Sequence, residues 1–180
     1  MPRISPLTDS DASPEATAIF AAVKGKIGMV PNLYRTTGHS PSTLAALLGL
    51  GDALGKGSFT AQEREAVALV VGQTNGCDYC LSAHSAISSG MKVPATEIAA
   101  NRQAASAAPR TAAILRLARV ITENRGLISD ADLEAARAAG LTNADVVETV
   151  GAVVQNIFTN YLNHIFATDI DFPVVRAEAA

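Results

Sequence analysis

The sequence predicts an all-α protein, and three observations carry that prediction. No segment alternates apolar and polar residues with β-branched enrichment, the pattern of a half-buried strand. Helix starts recur along the chain in recognisable form: Ser-Pro pairs, a Thr-x-x-Glu capping box, and Ser or Thr caps ahead of apolar runs. The chain is also 48% hydrophobic with only 4% aromatic residues, much of the remainder being Ala, and small residues at that density suit close helix packing.

Taken in order, residues 1–12 read as an extended arm. Ser13-Pro14-Glu15 starts a helix that runs to about Lys24 and stops near Gly25 or Gly28. Met29 to Tyr34 forms one or two turns ending at Gly38. Ser40-Pro41 repeats the Ser-Pro start, for a helix carrying Leu44, Leu47, Leu48 and Leu50 to Gly55 or Gly57. Thr60-Ala-Gln-Glu63 is a capping box, and the helix behind it, Ala61 to about Thr74, is apolar nearly all round after Arg64 and so belongs in the core. Asn75-Gly76 ends it, and a new helix begins around Cys77 and is closed by Gly90, with both cysteines in its first turn. Val93-Pro94 opens a short helix through about Ala100, Pro109 another ending at Gly126, and Ser129 caps a third reaching Gly140. Thr142-Asn-Ala-Asp145 starts the last long helix, to about Ala167, which Asp169-Ile-Asp-Phe-Pro173 cannot continue. The stretch from Gly57 and the stretch from Gly140 each place a cap before a long apolar helix, a possible internal helical repeat. We expect one domain over 1–180, with the reactive motif in 60–90 and a second helical half at about 109–168.

Charge and hydropathy exclude several function classes. The net charge is −3 without a basic block, so nothing points to nucleic acid or an anionic membrane surface. The longest apolar segment, Val146 to Phe166, is interrupted by Glu148, Gln155, Asn156, Asn160, Asn163 and His164, so no membrane span is expected. The N-terminus shows no signal-cleavage pattern, which predicts a cytoplasmic protein. The low charge content, 17%, predicts that some surface is covered by another copy of the chain in a homo-oligomer.

The chemistry concentrates in Asn75-Gly-Cys-Asp-Tyr-Cys-Leu-Ser-Ala-His84, which holds both cysteines of the chain. On a helix Cys77, Cys80 and His84 share one face. A helix start favours thiolate over thiol through its free N–H groups and dipole, so both cysteines are expected to be activated there. Glu65, twelve residues before Cys77, lies on the preceding helix and folds back across the turn to orient His84. In a reducing compartment such a C-x-x-C pair is redox-active or metal-binding rather than a staple. Two readings stay open on the residues alone: a redox dithiol, or a zinc site using Cys77, Cys80, His84 and a fourth ligand such as His164 or Glu65. His39 reads as a loop residue, His164 as a helix-packing or interface group, and Tyr79 as a pocket wall.

The spacing of Glu65, Cys77-x-x-Cys80 and His84 resembles the signature of the AhpD-like alkylhydroperoxidases of the carboxymuconolactone decarboxylase superfamily. The specific resemblance spans about Thr60 to Gly90. A looser one, through Val30-Pro-Asn-Leu-Tyr34, Ser40-Pro41, Asn156, Asn160 and Asp171-Phe-Pro173, is similar to the branch called peroxidase-related proteins. The resemblance implies an all-helical fold, a homo-oligomer (dimer, trimer or hexamer) and a cysteine-based alkyl hydroperoxide reductase. It implies that Cys80 attacks the peroxide, that Cys77 resolves the sulfenic acid to a disulfide, and that His84 and Glu65 relay protons. It implies a small hydroperoxide substrate, a dithiol reductant that is lipoyl-bearing or thioredoxin-like, and no cofactor or metal. The chain departs from the well-studied peroxidases at Tyr79, where they carry His. Decarboxylation is not expected, because the decarboxylases lack the cysteine pair. Disulfide exchange or redox sensing with the same pair is the alternative function.

Overall fold

The computed structural model of the chain describes residues 1–178. All regular structure among them is α-helical: α1 (Pro14–Ile27), α2 (Asn32–Thr37), α3 (Pro41–Leu54), α4 (Ala61–Thr74), α5 (Asp78–Gly90), α6 (Ala95–Arg102), α7 (Pro109–Glu123), α8 (Asp130–Ala138) and α9 (Asn143–Phe166). No described helix is long and apolar enough to cross a membrane.

The helices begin where the local chemistry places them. Ser13 and Ser40 accept backbone N–H groups ahead of a proline in the first turn of α1 and α3. Thr60, Ser129 and Thr142 each form a complete capping box, with Glu63, Asp132 and Asp145 reaching back to the cap residue. The start of α5 departs from expectation. Cys77 is not in the first turn but is the cap itself, and its sulfur accepts the N–H of Cys80 at 3.4 Å. Gly90 is the last helical residue and Met91 caps the end.

Helix α4 is the axle of the molecule and packs against α5, α6, α7 and α9. Its residues Ala66 to Gly72 are all buried, as a helix apolar on every side requires. Val67, Val70 and Val71 join Ile114, Leu115 and Leu117 of α7 and Val153 of α9 in the main core. Burying such an aliphatic side chain contributes about 1.5–3 kcal/mol. Arg110, in the first turn of α7, joins two of the three capping boxes. It donates to Glu63 Oε1 at 3.1 Å and to Asp145 Oδ1 at 2.7 Å, so the starts of α4 and α9 are held together. Both sequences singled out as a possible repeat therefore meet at one guanidinium.

The segment after α9 is irregular in backbone but ordered in its contacts. Ala167 adopts φ 50° and turns the chain back along α5. Val175 N–H donates to Ser82 Oγ at 2.9 Å, Ala177 N–H to Asp78 Oδ1 at 2.8 Å, and Arg176 pairs with Asp78 Oδ2 at 2.7 Å. Arg102 and Gln73 bind the same strip, through the carbonyls of Arg176 and Glu178. This strap lies over the first turns of α5, along the side that carries Asp78, Leu81 and Ser82.

Candidate active site

Gly76 (φ 66°) supplies the left-handed residue that reverses the chain between α4 and α5. The reversal lays Glu65 of α4 against His84 of α5, with His84 Nδ1 and Glu65 Oε2 at 2.7 Å. Their side chains are 23% and 19% exposed, so the pair is largely shielded from water. Burial pushes the imidazole towards its neutral form, but the carboxylate of Glu65 outweighs it and raises the His84 pKa overall.

Cys77 and Cys80 are free thiols, both buried, with their sulfurs 2.6 Å apart. The two are chemically unequal. The Cys77 thiol donates to Cys80, which lowers the Cys80 thiol to about 7 against the resistance of burial. The charge of His84 and the amides of Asn163 and Asn160 lower it further. Cys77 is driven in the opposite direction, chiefly because it is the donor in that hydrogen bond and then because it is buried. The expectation that the helix start activates both cysteines is therefore corrected: one sulfur takes the negative charge and the other keeps the proton.

Asn160 Nδ2 lies 3.0 Å from the Cys80 sulfur and Asn163 Nδ2 lies 3.4 Å from it. Both come from α9 and were not singled out as site residues. The signal was available in Asn156, Asn160 and Asn163, which recur at helical spacing on one face of an otherwise apolar helix. His164, on the same helix, is exposed.

A cavity of about 420 Å³ opens beside Cys80 and His84. Its walls are mostly apolar, from Val23, Ile27, Leu33, Leu47, Ile87 and Phe172. That volume holds a small to medium organic molecule. Cys77 and Glu65 stand behind this wall, touching Cys80 and His84 respectively. Among the described residues no three His, Cys, Asp or Glu side chains converge into a metal-binding group.

Tyr79 is a cavity wall, as expected, and also a structural tie. Its hydroxyl donates to Asp171 Oδ1 at 2.8 Å and accepts the Leu33 N–H at 3.2 Å, and its ring meets Phe172 edge-on at 5.8 Å. Burial raises its pKa, so it stays a neutral phenol. Asp171 Oδ2 also accepts the Asn32 N–H at 2.8 Å, a carboxylate supplied to the otherwise uncapped start of α2.

With this geometry described, likeness to known proteins places the chain. Residues 41–123, which span the cysteine pair, Glu65 and His84, match the carboxymuconolactone decarboxylase family. A peroxidase-related protein from Ralstonia eutropha JMP134, described as an alkylhydroperoxidase AhpD core, superposes with a TM-score of 0.82 at 27% identity, over 94% of this chain and 92% of its own. The chain has the AhpD-like fold, and its residues 41–123 carry the carboxymuconolactone decarboxylase family pattern. A second peroxidase-related protein, from Silicibacter sp. TM1040, shares 25% identity and a TM-score of 0.79 over 92% of this chain and 91% of its own. The debrominase Bmp8, solved as a cysteine-to-alanine variant with 2,3,4-tribromopyrrole, shares the fold at a TM-score of 0.79 and 20% identity, over 93% and 91% of the two chains. No curated protein sequence matches the chain. In this AhpD-like chain the four residues expected from the sequence, Glu65, Cys77, Cys80 and His84, come together as two touching pairs. One member of each pair faces the cavity.

Proposed function

We propose that this AhpD-like protein is a cysteine-based alkyl hydroperoxide reductase cycling between the Cys77/Cys80 dithiol and its disulfide. The observation that carries the reading is the Cys80 sulfur. It borders an apolar cavity, is lowered to about 7, and has a protonated thiol 2.6 Å behind it.

In the first step the Cys80 thiolate attacks the terminal oxygen of R–O–O–H. The S–O bond forms, the O–O bond breaks, and the sulfur is oxidised to the sulfenic acid as the peroxide is reduced. The departing alkoxide takes a proton from His84, which Glu65 holds in its protonated form through Nδ1, leaving Nε2 for the transfer. Cys77 then attacks the sulfenic sulfur. The disulfide forms, and the hydroxide that leaves combines with the Cys77 proton as water. A dithiol restores the pair, which needs a reducing compartment and agrees with a cytoplasmic location. The cysteines are 1% and 2% exposed, so the reductant reaches them by way of the cavity. That path suits a slender dithiol arm such as a lipoyl group better than a folded thioredoxin-like face, and it disfavours exchange with protein disulfides. Exposed Val147, Val150, Val154, Tyr161 and Ile165 along α9 support self-association through that helix.

The test is hydroperoxide consumption by the purified protein, with lipoyl and thioredoxin donors compared. Wild type is expected to oxidise two thiols per hydroperoxide, and Cys80→Ser to consume none; consumption by Cys80→Ser at the wild-type rate rejects the assignment. A second reading draws on the fold shared with the debrominase: the same dithiol supplies two electrons to a bromoarene, giving arene, bromide, a proton and the disulfide. Adding 2,3,4-tribromopyrrole to the same assay decides between them, since bromide release without peroxide consumption favours the second.

A further inference from the structure

Asn160 and Asn163 each donate to the Cys80 sulfur, yet the other ends of the two amides differ. Asn160 Oδ1 accepts from Asn75 Nδ2 at 2.8 Å. Asn163 Oδ1 is buried and has no hydrogen-bond donor among the described residues. Buried amide oxygens are nearly always hydrogen-bonded, so an orphan in a tightly packed site calls for a reason. Three other side-chain oxygens share this condition, on Thr36, Ser85 and Thr168, but none of those residues lines the cavity. Asn163 does line it, is 4% exposed, and already touches the sulfur that would react.

We propose, resting on the hydroperoxide reading above, that Asn163 holds the hydroxyl group that is transferred, its Oδ1 accepting the hydrogen bond from the terminal O–H of the bound hydroperoxide. The terminal oxygen is the one that sulfur attacks, and it carries the hydrogen. An amide whose nitrogen rests on the sulfur and whose oxygen receives that O–H sets the terminal oxygen beside the sulfur. During the step the S–O bond forms and the O–O bond breaks. The transferred oxygen keeps its hydrogen, so the same hydrogen bond persists into Cys80 sulfenic acid. The alkoxide departs with the proton from His84. Asn160 has no free acceptor and acts on the thiolate alone. The site thus selects peroxides with a free O–H; a dialkyl peroxide leaves the Asn163 oxygen unpaired.

The experiment compares two electrophiles on Cys80 at a pH where the thiol is fully ionised. One is cumene hydroperoxide. The other is methyl methanethiosulfonate, which has no hydrogen-bond donor. Asn163→Leu, nearly isosteric, and Asn163→Ala also remove the N–H donated to the sulfur, so both reactions respond, but the hydroperoxide reaction is expected to slow about five- to tenfold more than the thiosulfonate reaction. Asn160→Leu is expected to change both reactions equally. Asn163→Asp retains the acceptor and is expected to return the ratio of the two rates to within about threefold of wild type. If the Asn163 variants slow both reactions by the same factor, Asn163 acts only on the thiolate and the inference is overturned. If wild type reacts with the thiosulfonate but not with the hydroperoxide, the hydroperoxide reading itself fails, a result distinct from failure of the Asn163 role.

Discussion

Cys77 and Cys80 stand three positions apart and take opposite protonation roles because their surroundings differ. Cys77 gives its proton to the interaction; Cys80 receives that hydrogen bond and two more from α9. Alkylation of Cys80 by iodoacetamide should therefore rise with pH about a midpoint near 7. In Cys77→Ala the midpoint should move up by about one pH unit, the effect of losing one hydrogen bond to a charged group. An unmoved midpoint would show that Cys77 does not stabilise the thiolate. The residue types at this site were legible in the sequence, since Glu65, Cys77, Cys80 and His84 are fixed by spacing along two adjoining helices. The asymmetry was not, because it depends on Asn160 and Asn163, 80 and 83 residues further along the chain.

Among the elements, helix starts whose caps lie within four residues were readable directly: Ser13, Ser40, Thr60, Ser129 and Thr142 all cap as their sequences suggest. The start of α2 was not, because its carboxylate arrives from Asp171, 139 residues away. Tyr79 links the two through its hydroxyl. Tyr79→Phe leaves the Leu33 N–H and the Asp171 carboxylate each short of a partner and should lower stability by about 1–3 kcal/mol in urea denaturation. The alkylation midpoint of Cys80 should stay within about 0.3 pH units of wild type, since the hydroxyl makes no bond to the sulfur. A shift as large as that expected from Cys77→Ala would assign Tyr79 to the chemistry instead.

At the scale of the molecule, α4 is surrounded by helices and Arg110 ties its start to that of α9. Asp145, its side chain only 5% exposed, is held below the usual carboxylate range, first by its hydrogen bond from Arg110 and then by those from Thr142. A carboxylate depressed in the folded state stabilises the protein above its unfolded pKa, and that contribution is lost as the pH falls through the folded one. Arg110→Met should accordingly destabilise the protein by about 1–3 kcal/mol at neutral pH. The gap in urea midpoint between the two proteins should close as the pH drops below the ordinary carboxylate range. A gap that is constant with pH would mean that Arg110 contributes packing alone. That the fold is helical and that α4 is central could be read from hydrophobic pattern. How the helices lock could not, since Arg110 looks like any other charged residue in a first turn.

The strap over α5 also bears on how the chain reaches this state. Helices α4 and α5 are neighbours in sequence and close a short loop, whereas the strap meets Gln73, Asp78, Ser82 and Arg102 across 74 to 105 residues. Contacts so distant along the chain form late, after local hairpins of helices. The cover of the thiols is equally remote, since Asn160 and Asn163 reach Cys80 across 80 and 83 residues, so both thiols pass through an interval of folding in which their helix exists and its cover does not. Any oxidant in the compartment meets them then without the cavity as a filter, so the redox state of a newly folded molecule is set by its surroundings before the finished site can discriminate.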